Sequence, residues 1–175
     1  MFAGGGESRL GPLHSDIVAF PRSLRGYNRV VEVPYEILEH PADVGFLAYG
    51  ATLAELFENA ALAMCSLACA PEKIEERMQR KIIARGRDIE SLLYAWLAEV
   101  LAIADGEQLV FHRVSVSELK EPSDSVAGEA RGVAYGERFD HERHAAGTYI
   151  KAVTLHQFKV ERAAKGFQAR VYLDL

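Results

Sequence analysis

Thr52-Leu53-Ala54-Glu55-Leu56-Phe57-Glu58-Asn59-Ala60-Ala61-Leu62-Ala63-Met64-Cys65-Ser66-Leu67-Ala68 is the stretch on which the reading of this fold turns. Leu53, Leu56, Phe57, Ala60, Ala61, Met64, Leu67 and Ala68 recur at three- and four-residue steps, which lays one broad apolar face along a helix. Thr52 and Glu55 have capping-box spacing: the hydroxyl can accept from the Glu55 amide while the carboxylate reaches back to the entry. Pro71 marks the exit. Phe57 and Met64 therefore belong to a core. Cys65 and Cys69 share one helical face, and no second Cys or His pair lies nearby to complete a zinc site, so both are expected as reduced core thiols.

Outward from this helix, towards the N-terminus, two strand-like segments, Tyr35 to Leu38 and Phe46 to Tyr49, flank Glu39-His40-Pro41-Ala42-Asp43-Val44-Gly45. Asp43 stands where a sheet edge turns. A carboxylate there serves either as an Asx-type turn residue, with Gly45 supplying a permissive backbone, or as a ligand, and this stretch alone leaves both open. His40 reads as a turn residue first and as a hydrogen-bonding partner of Asp43 second. Residues 1–34, with Gly4 to Gly6, Gly11, Pro12, Pro21 and scattered Arg22, Arg25 and Arg29, keep no periodicity and read as a flexible extension.

Towards the C-terminus, a charged run over 73–80 precedes Lys81-Ile82-Ile83-Ala84, a short strand ending at Gly86. Asp88 is the expected N-cap of a second helix whose buried face is Leu92, Leu93, Trp96, Leu97, Val100 and Leu101, with Asp105-Gly106 expected to close it. The last third is strand-like: Leu109 to Phe111, Val114 to Leu119 and Val126 to Tyr135, then a hairpin of Tyr149 to Arg162 and Phe167 to Leu173. Antiparallel pairing follows. The polar stretch Gly136 to Gly147 carries Asp140, His141 and His144; metal binding is conceivable, but a solvated loop is the expected state.

Two charged positions interrupt this pattern. In the final strand Phe167, Ala169, Val171 and Leu173 take one face, which leaves Asp174 on the polar side. In the preceding strand Lys151 shares its face with Tyr149, Val153 and Leu155, so its ammonium needs a partner, an acidic side chain in the plainest case.

Length and charge narrow the function classes. A chain of 175 residues with 49% hydrophobic residues suits one domain with its own core. A net charge of −5 argues against holding nucleic acid through a basic surface, so any RNA-related role should run through a partner protein. No segment combines a basic start with a signal-peptide core, and none approaches the ~20 apolar residues that span a bilayer. A cytoplasmic protein is expected.

Several motifs in fixed order resemble the archease family: Glu39-His40-Pro41-Ala42-Asp43-Val44-Gly45, the Thr52 to Ala61 helix start, Leu92-Leu93-Tyr94-Ala95-Trp96-Leu97, Ala134-Tyr135-Gly136-Glu137, Lys151-Ala152-Val153-Thr154 and Arg170-Val171-Tyr172-Leu173-Asp174-Leu175. The resemblance runs from about Tyr35 to Leu175. It implies a single α+β domain over 35–175, an antiparallel or mixed β-sheet packed with two main helices. It further implies a non-enzymatic accessory protein that activates the RtcB-type RNA ligase of tRNA splicing and RNA repair, promoting metal-dependent guanylylation of the ligase and its repeated turnover. Contact with the ligase's GTP or RNA stays open. Carried over by position, Asp43, Asp174 and the carboxylate of Leu175 match the family's metal ligands, and Lys151 matches its functional lysine, acting in activation rather than in catalysis proper. Such oxygen donors suit a hard cation, calcium first, with magnesium or manganese as alternatives. Pro41 departs from the family, which usually has threonine there. Two other classes stand beside this reading: a metal-dependent nucleotide or RNA hydrolase, and a chaperone-like binding module. The absence of an obvious nucleophile or dedicated general base weighs against the hydrolase.

Overall fold

The start of the first helix shows how locally this chain is instructed. In the computed structural model, which describes residues 34–39 and 44–175, the Thr52 hydroxyl accepts from the Glu55 amide at 3.1 Å, and α1 (Leu53–Ala68) begins there. The reciprocal half of the box differs from expectation. The Glu55 carboxylate accepts from the Ala51 amide at 2.9 Å, one residue before the cap. The 1–34 extension, up to residue 33, and His40, Pro41 and Asp43 with the roles expected of them lie outside the described residues.

The elements run β1 (Tyr35–Glu39), β2 (Val44–Gly50), α1, a 3-10 turn (Pro71–Lys73), β3 (Met78–Gly86), α2 (Ile89–Glu107), β4 (Leu109–Lys120), β5 (Gly128–Arg138), β6 (Ala152–Ala163) and β7 (Gly166–Asp174). The strands form two antiparallel sheets, ordered β1-β2-β7-β6 and β3-β5-β4, where one antiparallel or mixed sheet was expected. The α+β class with two helices stands. Each helix packs against both sheets: α1 on β2 and β4, α2 on β3 and β6. Their side chains consequently meet in one core, where Phe46, Leu56, Phe57, Trp96, Leu97 and Phe111 are buried together. The Trp96 indole N–H donates to the Phe57 carbonyl at 3.2 Å, so this large ring is buried without an orphaned donor.

Several boundaries moved, among them the start of β3, which begins at Met78 instead of Lys81. Asp88 caps α2 as expected, its carboxylate accepting from the Ser91 amide at 2.7 Å while Ser91 Oγ accepts from the Asp88 amide. The helix then passes through Gly106 and ends at Gln108, which takes the left-handed conformation at φ 54°. That residue's carbonyl accepts from the Phe139 amide, so the turn falls where β4 must begin pairing. The two short strands expected over Leu109 to Leu119 are one strand, because bulges skip His112 and Ser117 in the register with β5 and shift the alternation. A Glu58 carboxylate from α1 accepts the Val116 amide at 2.7 Å beside the second bulge. Gly136 to Arg138 belong to β5 instead of a loop, and β6 starts only at Ala152.

The final hairpin contains the largest departure. Four residues of β6, Leu155 to Phe158, stand between Thr154↔Tyr172 and Lys159↔Arg170, with Gln157 at φ 51°. Leu155 is turned out to 68% exposure, and Lys151 lies outside the strand and is exposed as well. The expected apolar row around Lys151 therefore reduces to Val153. Asp174 takes the polar side as read, exposed next to buried Leu173.

Candidate functional site

The end of the β1-β2-β7-β6 sheet gathers three of the four candidate residues, two of them through main-chain pairing. The Lys151 amide donates to the Asp174 carbonyl at 2.8 Å, and its ammonium donates to the main-chain oxygen of Leu175 at 2.5 Å. Lys151 thus has the partner its charge requires, but that partner is a main-chain oxygen and not an acidic side chain. The Asp174 carboxylate stands exposed beside it. Asp43, the fourth candidate, lies outside the described residues; its chain neighbour Val44 pairs with Leu173, the residue before Asp174.

Next to this end, Tyr172 lies over Gly45. A Cβ at that glycine would meet the tyrosine ring at 2.8 Å, so the ring needs the missing side chain across the strand pair. Thr154 Oγ donates to the Tyr172 carbonyl at 3.2 Å from the other side. The strand that delivers Asp174 is thereby held from both neighbours.

Among the described residues no three His, Cys, Asp or Glu side chains are grouped to hold a metal. Asp174 and Leu175 offer accessible oxygens, a donor chemistry that fits a hard cation and not a thiolate- or imidazole-seeking one. A cation there would share the Leu175 oxygen with the Lys151 ammonium. Cys65 and Cys69 take no part; both are free and buried, and burial pushes the Cys65 thiol up to about 12.

A second cluster joins Glu137 to Arg143 and His144, a grouping the sequence did not show, although His144 was read there with Asp140 and His141 as a conceivable metal set. Glu137, at the end of β5, is 3% exposed and accepts four hydrogen bonds: from Arg143 Nη1 at 2.7 Å, Arg143 Nη2 at 3.0 Å, the Glu75 amide at 2.8 Å and His144 Nε2 at 3.2 Å. The His144 tautomer follows from its other nitrogen, because Nδ1 accepts from the Asp140 amide at 3.0 Å and leaves the proton on Nε2. Arg143 first, then the Glu75 amide and His144, hold the Glu137 carboxyl down from its ordinary 4.5 to about 2, against the opposing effect of burial. His144 is buried, so the expected solvated loop is instead packed down at its centre. The sequence signals were Glu137 in the Ala134 to Glu137 motif and His144 in the polar stretch after it.

Two depressions border these clusters. One of about 590 Å³ opens over Arg77, Met78, Phe139 and His141 beside Glu137, and a groove of about 200 Å³ runs by Lys151 between Tyr94, Leu101, Ile150 and Val153.

The archease protein family (MTH1598/TM1083) matches this chain over residues 35–175. The chain belongs to the archease family. A protein archease of Methanosarcina mazei is 41% identical over 141 residues, covering 81% of this chain and 95% of that protein. One of Pyrococcus furiosus is 41% identical over 132 residues, covering 75% and 91%. The solution structure of Methanobacterium thermoautotrophicum protein 1598 superimposes with a TM-score of 0.68 at 35% identity, over 81% of this chain and 99% of that one. A Thermotoga maritima structure described as an archease, possible chaperone, shares the fold at a TM-score of 0.52 and 18% identity, over 79% and 94%. The archease match begins where β1 begins, so it covers both sheets and both helices.

Proposed function

We propose that this archease is an accessory protein that activates an RtcB-type RNA ligase, promoting metal-dependent guanylylation of the ligase and its repeated turnover. The observation that carries the reading is the convergence of Lys151, Asp174 and Leu175 at one sheet end. Asp43 is joined to the strand that pairs beside them. In this reading Asp43, Asp174 and the main-chain oxygen of Leu175 hold a hard cation, calcium before magnesium or manganese. Such a cation supplies positive charge for phosphate oxygens. Lys151 limits the repulsion among the oxygens and offers ammonium protons to a phosphate approaching from solvent. Exposure of the site fits a role completed by a partner. The protein is proposed to act in the cytoplasm; among the described residues no helix is long and apolar enough to cross a membrane.

A second reading, a chaperone-like binding module, is favoured by the Thermotoga maritima structure's description as a possible chaperone and by the groove between Tyr94, Leu101, Ile150 and Val153. One assay separates them. The protein is added to the cognate ligase with GTP and each metal in turn, and ligase guanylylation is followed over time. Faster guanylylation that requires metal supports the activator. An unchanged rate with folded protein and active ligase sinks it, and nucleotide hydrolysis by this protein alone would point to the hydrolase class.

A further inference from the structure

Residues 139–150 carry the chain from the buried Glu137 cluster to Lys151, and nearly every step of that path is tied down. At its start, Arg143 and His144 bond Glu137, and the Arg143 and His144 amides both donate to the Asp140 carbonyl. Ala146 then bridges Cys69. The Gly147 amide donates to Ala68 O at 2.9 Å and the Thr148 amide to Leu67 O at 2.8 Å, so the strap satisfies carbonyls that the end of α1 leaves without helical partners. Gly147 permits this approach: a Cβ there would stand 2.2 Å from Leu67 O. Ile150 is 4% exposed, and the next residue is Lys151, with its amide on Asp174.

We propose that Glu137 is a positioning residue for Lys151: by fastening Arg143 and His144 it holds the strap taut against α1 and so fixes the lysine beside Asp174 and Leu175. This rests on the activator reading of that sheet end. Only six residues separate His144 from Lys151, and the anchors between them, the bridge at Ala146, single main-chain bonds at Gly147 and Thr148 and the burial of Ile150, are neutral contacts that keep their register only while the charged Glu137 end is fastened, so loosening there spreads along the strap to Lys151. The converging bonds explain why a carboxylate is buried at the end of β5. Its charge is met by two strap side chains, by the Glu75 amide and, at 3.4 Å, by Arg77 Nε.

The test uses the full chain with Glu137→Gln, which keeps the shape and removes the charge. Amide hydrogen exchange is read at Gly147, Thr148 and Lys151, with Trp96 and Leu97 in α2 as internal reference, and the Lys151 side-chain ¹⁵Nζ shift is recorded at fixed pH. The expected result is exchange faster by about tenfold or more at the three strap positions and a displaced ¹⁵Nζ resonance, with α2 unchanged. Arg143→Lys, at a partly exposed position, loses the bidentate fork and serves if Glu137→Gln does not fold; the same confined loosening is expected. Wild-type exchange and an unmoved ¹⁵Nζ signal at Lys151 in a folded variant would overturn the proposal. Ligase guanylylation is measured in parallel with Lys151→Ala: if that substitution leaves guanylylation untouched, the activator reading fails while the exchange result still decides whether Glu137 positions the lysine.

Discussion

At the scale of single residues, exposure separates groups that serve the fold from groups available for chemistry. Asp174 is exposed at the end of a strand whose other face is buried. Asp174→Asn is expected to leave stability within about 0.5 kcal/mol, as surface substitutions do, while reducing metal binding and ligase activation at least about tenfold. Calcium titration by calorimetry alongside thermal melting checks both halves. Asp43→Ala is expected to abolish activation with the melting temperature retained; a collapse of both together would make Asp43 a turn residue. In the proposed site Leu175 would bind through a main-chain oxygen, so Leu175→Ala is expected to be mild. Glu137 is the opposite case, a buried carboxylate whose pKa is lowered by folding to about 2. Its stabilisation is full above the ordinary 4.5 and is lost as pH falls from there through about 2, because protonation removes the charge that Arg143 and His144 require. Acid denaturation followed by circular dichroism should be shallower over that window for Glu137→Gln than for the wild type.

At the scale of elements, helix starts were set locally and helix and strand ends by neighbours. The caps of α1 and α2 use residues within three positions, Thr52 with Glu55 and Asp88 with Ser91, so their physics is contained in short stretches of sequence. Thr52→Ala is expected to cost about 1 kcal/mol, read from the midpoint of urea unfolding with an unchanged slope. By contrast, α2 stops at Gln108 because the Gln108 carbonyl is taken by Phe139, thirty-one positions on. The bulges of β4 and β6 likewise exist only relative to β5 and β7. Shifts in alternation caused by a partner strand look, in the sequence, like breaks between strands.

At the scale of the whole molecule, both sheets and both helices share one buried cluster, so no sheet has a core of its own. Phe57, 0% exposed, touches this shared interior from α1, and its carbonyl holds Trp96 of α2. Phe57→Ala is expected to destabilise by about 3–5 kcal/mol and still unfold in one transition. Coincident melting curves from Trp96 fluorescence and far-ultraviolet circular dichroism check this; separated curves would mean that the sheets unfold independently.

The sequence by itself determined the two helices, their N-cap residues Thr52 and Asp88, the buried faces led by Phe57 and Trp96, the polar side for Asp174 and the family. These follow from spacing within a few residues, where the helical repeat, strand alternation and cap chemistry operate, and from the order of motifs along the chain. Tertiary structure alone decided that the strands divide into two sheets, that Lys151 is exposed and bonds a main-chain oxygen, and that Glu137 and His144 are buried together with half-exposed Arg143 bonded to them as one cluster. His144 shows why: a histidine in a polar run carries no mark of burial, and its protection depends on Glu137 arriving from the end of β5, itself held by the Glu75 amide from sixty-two positions before Glu137. A buried polar group is stable only when all its partners are present at once, and that condition is met by packing, not by any stretch of sequence read alone.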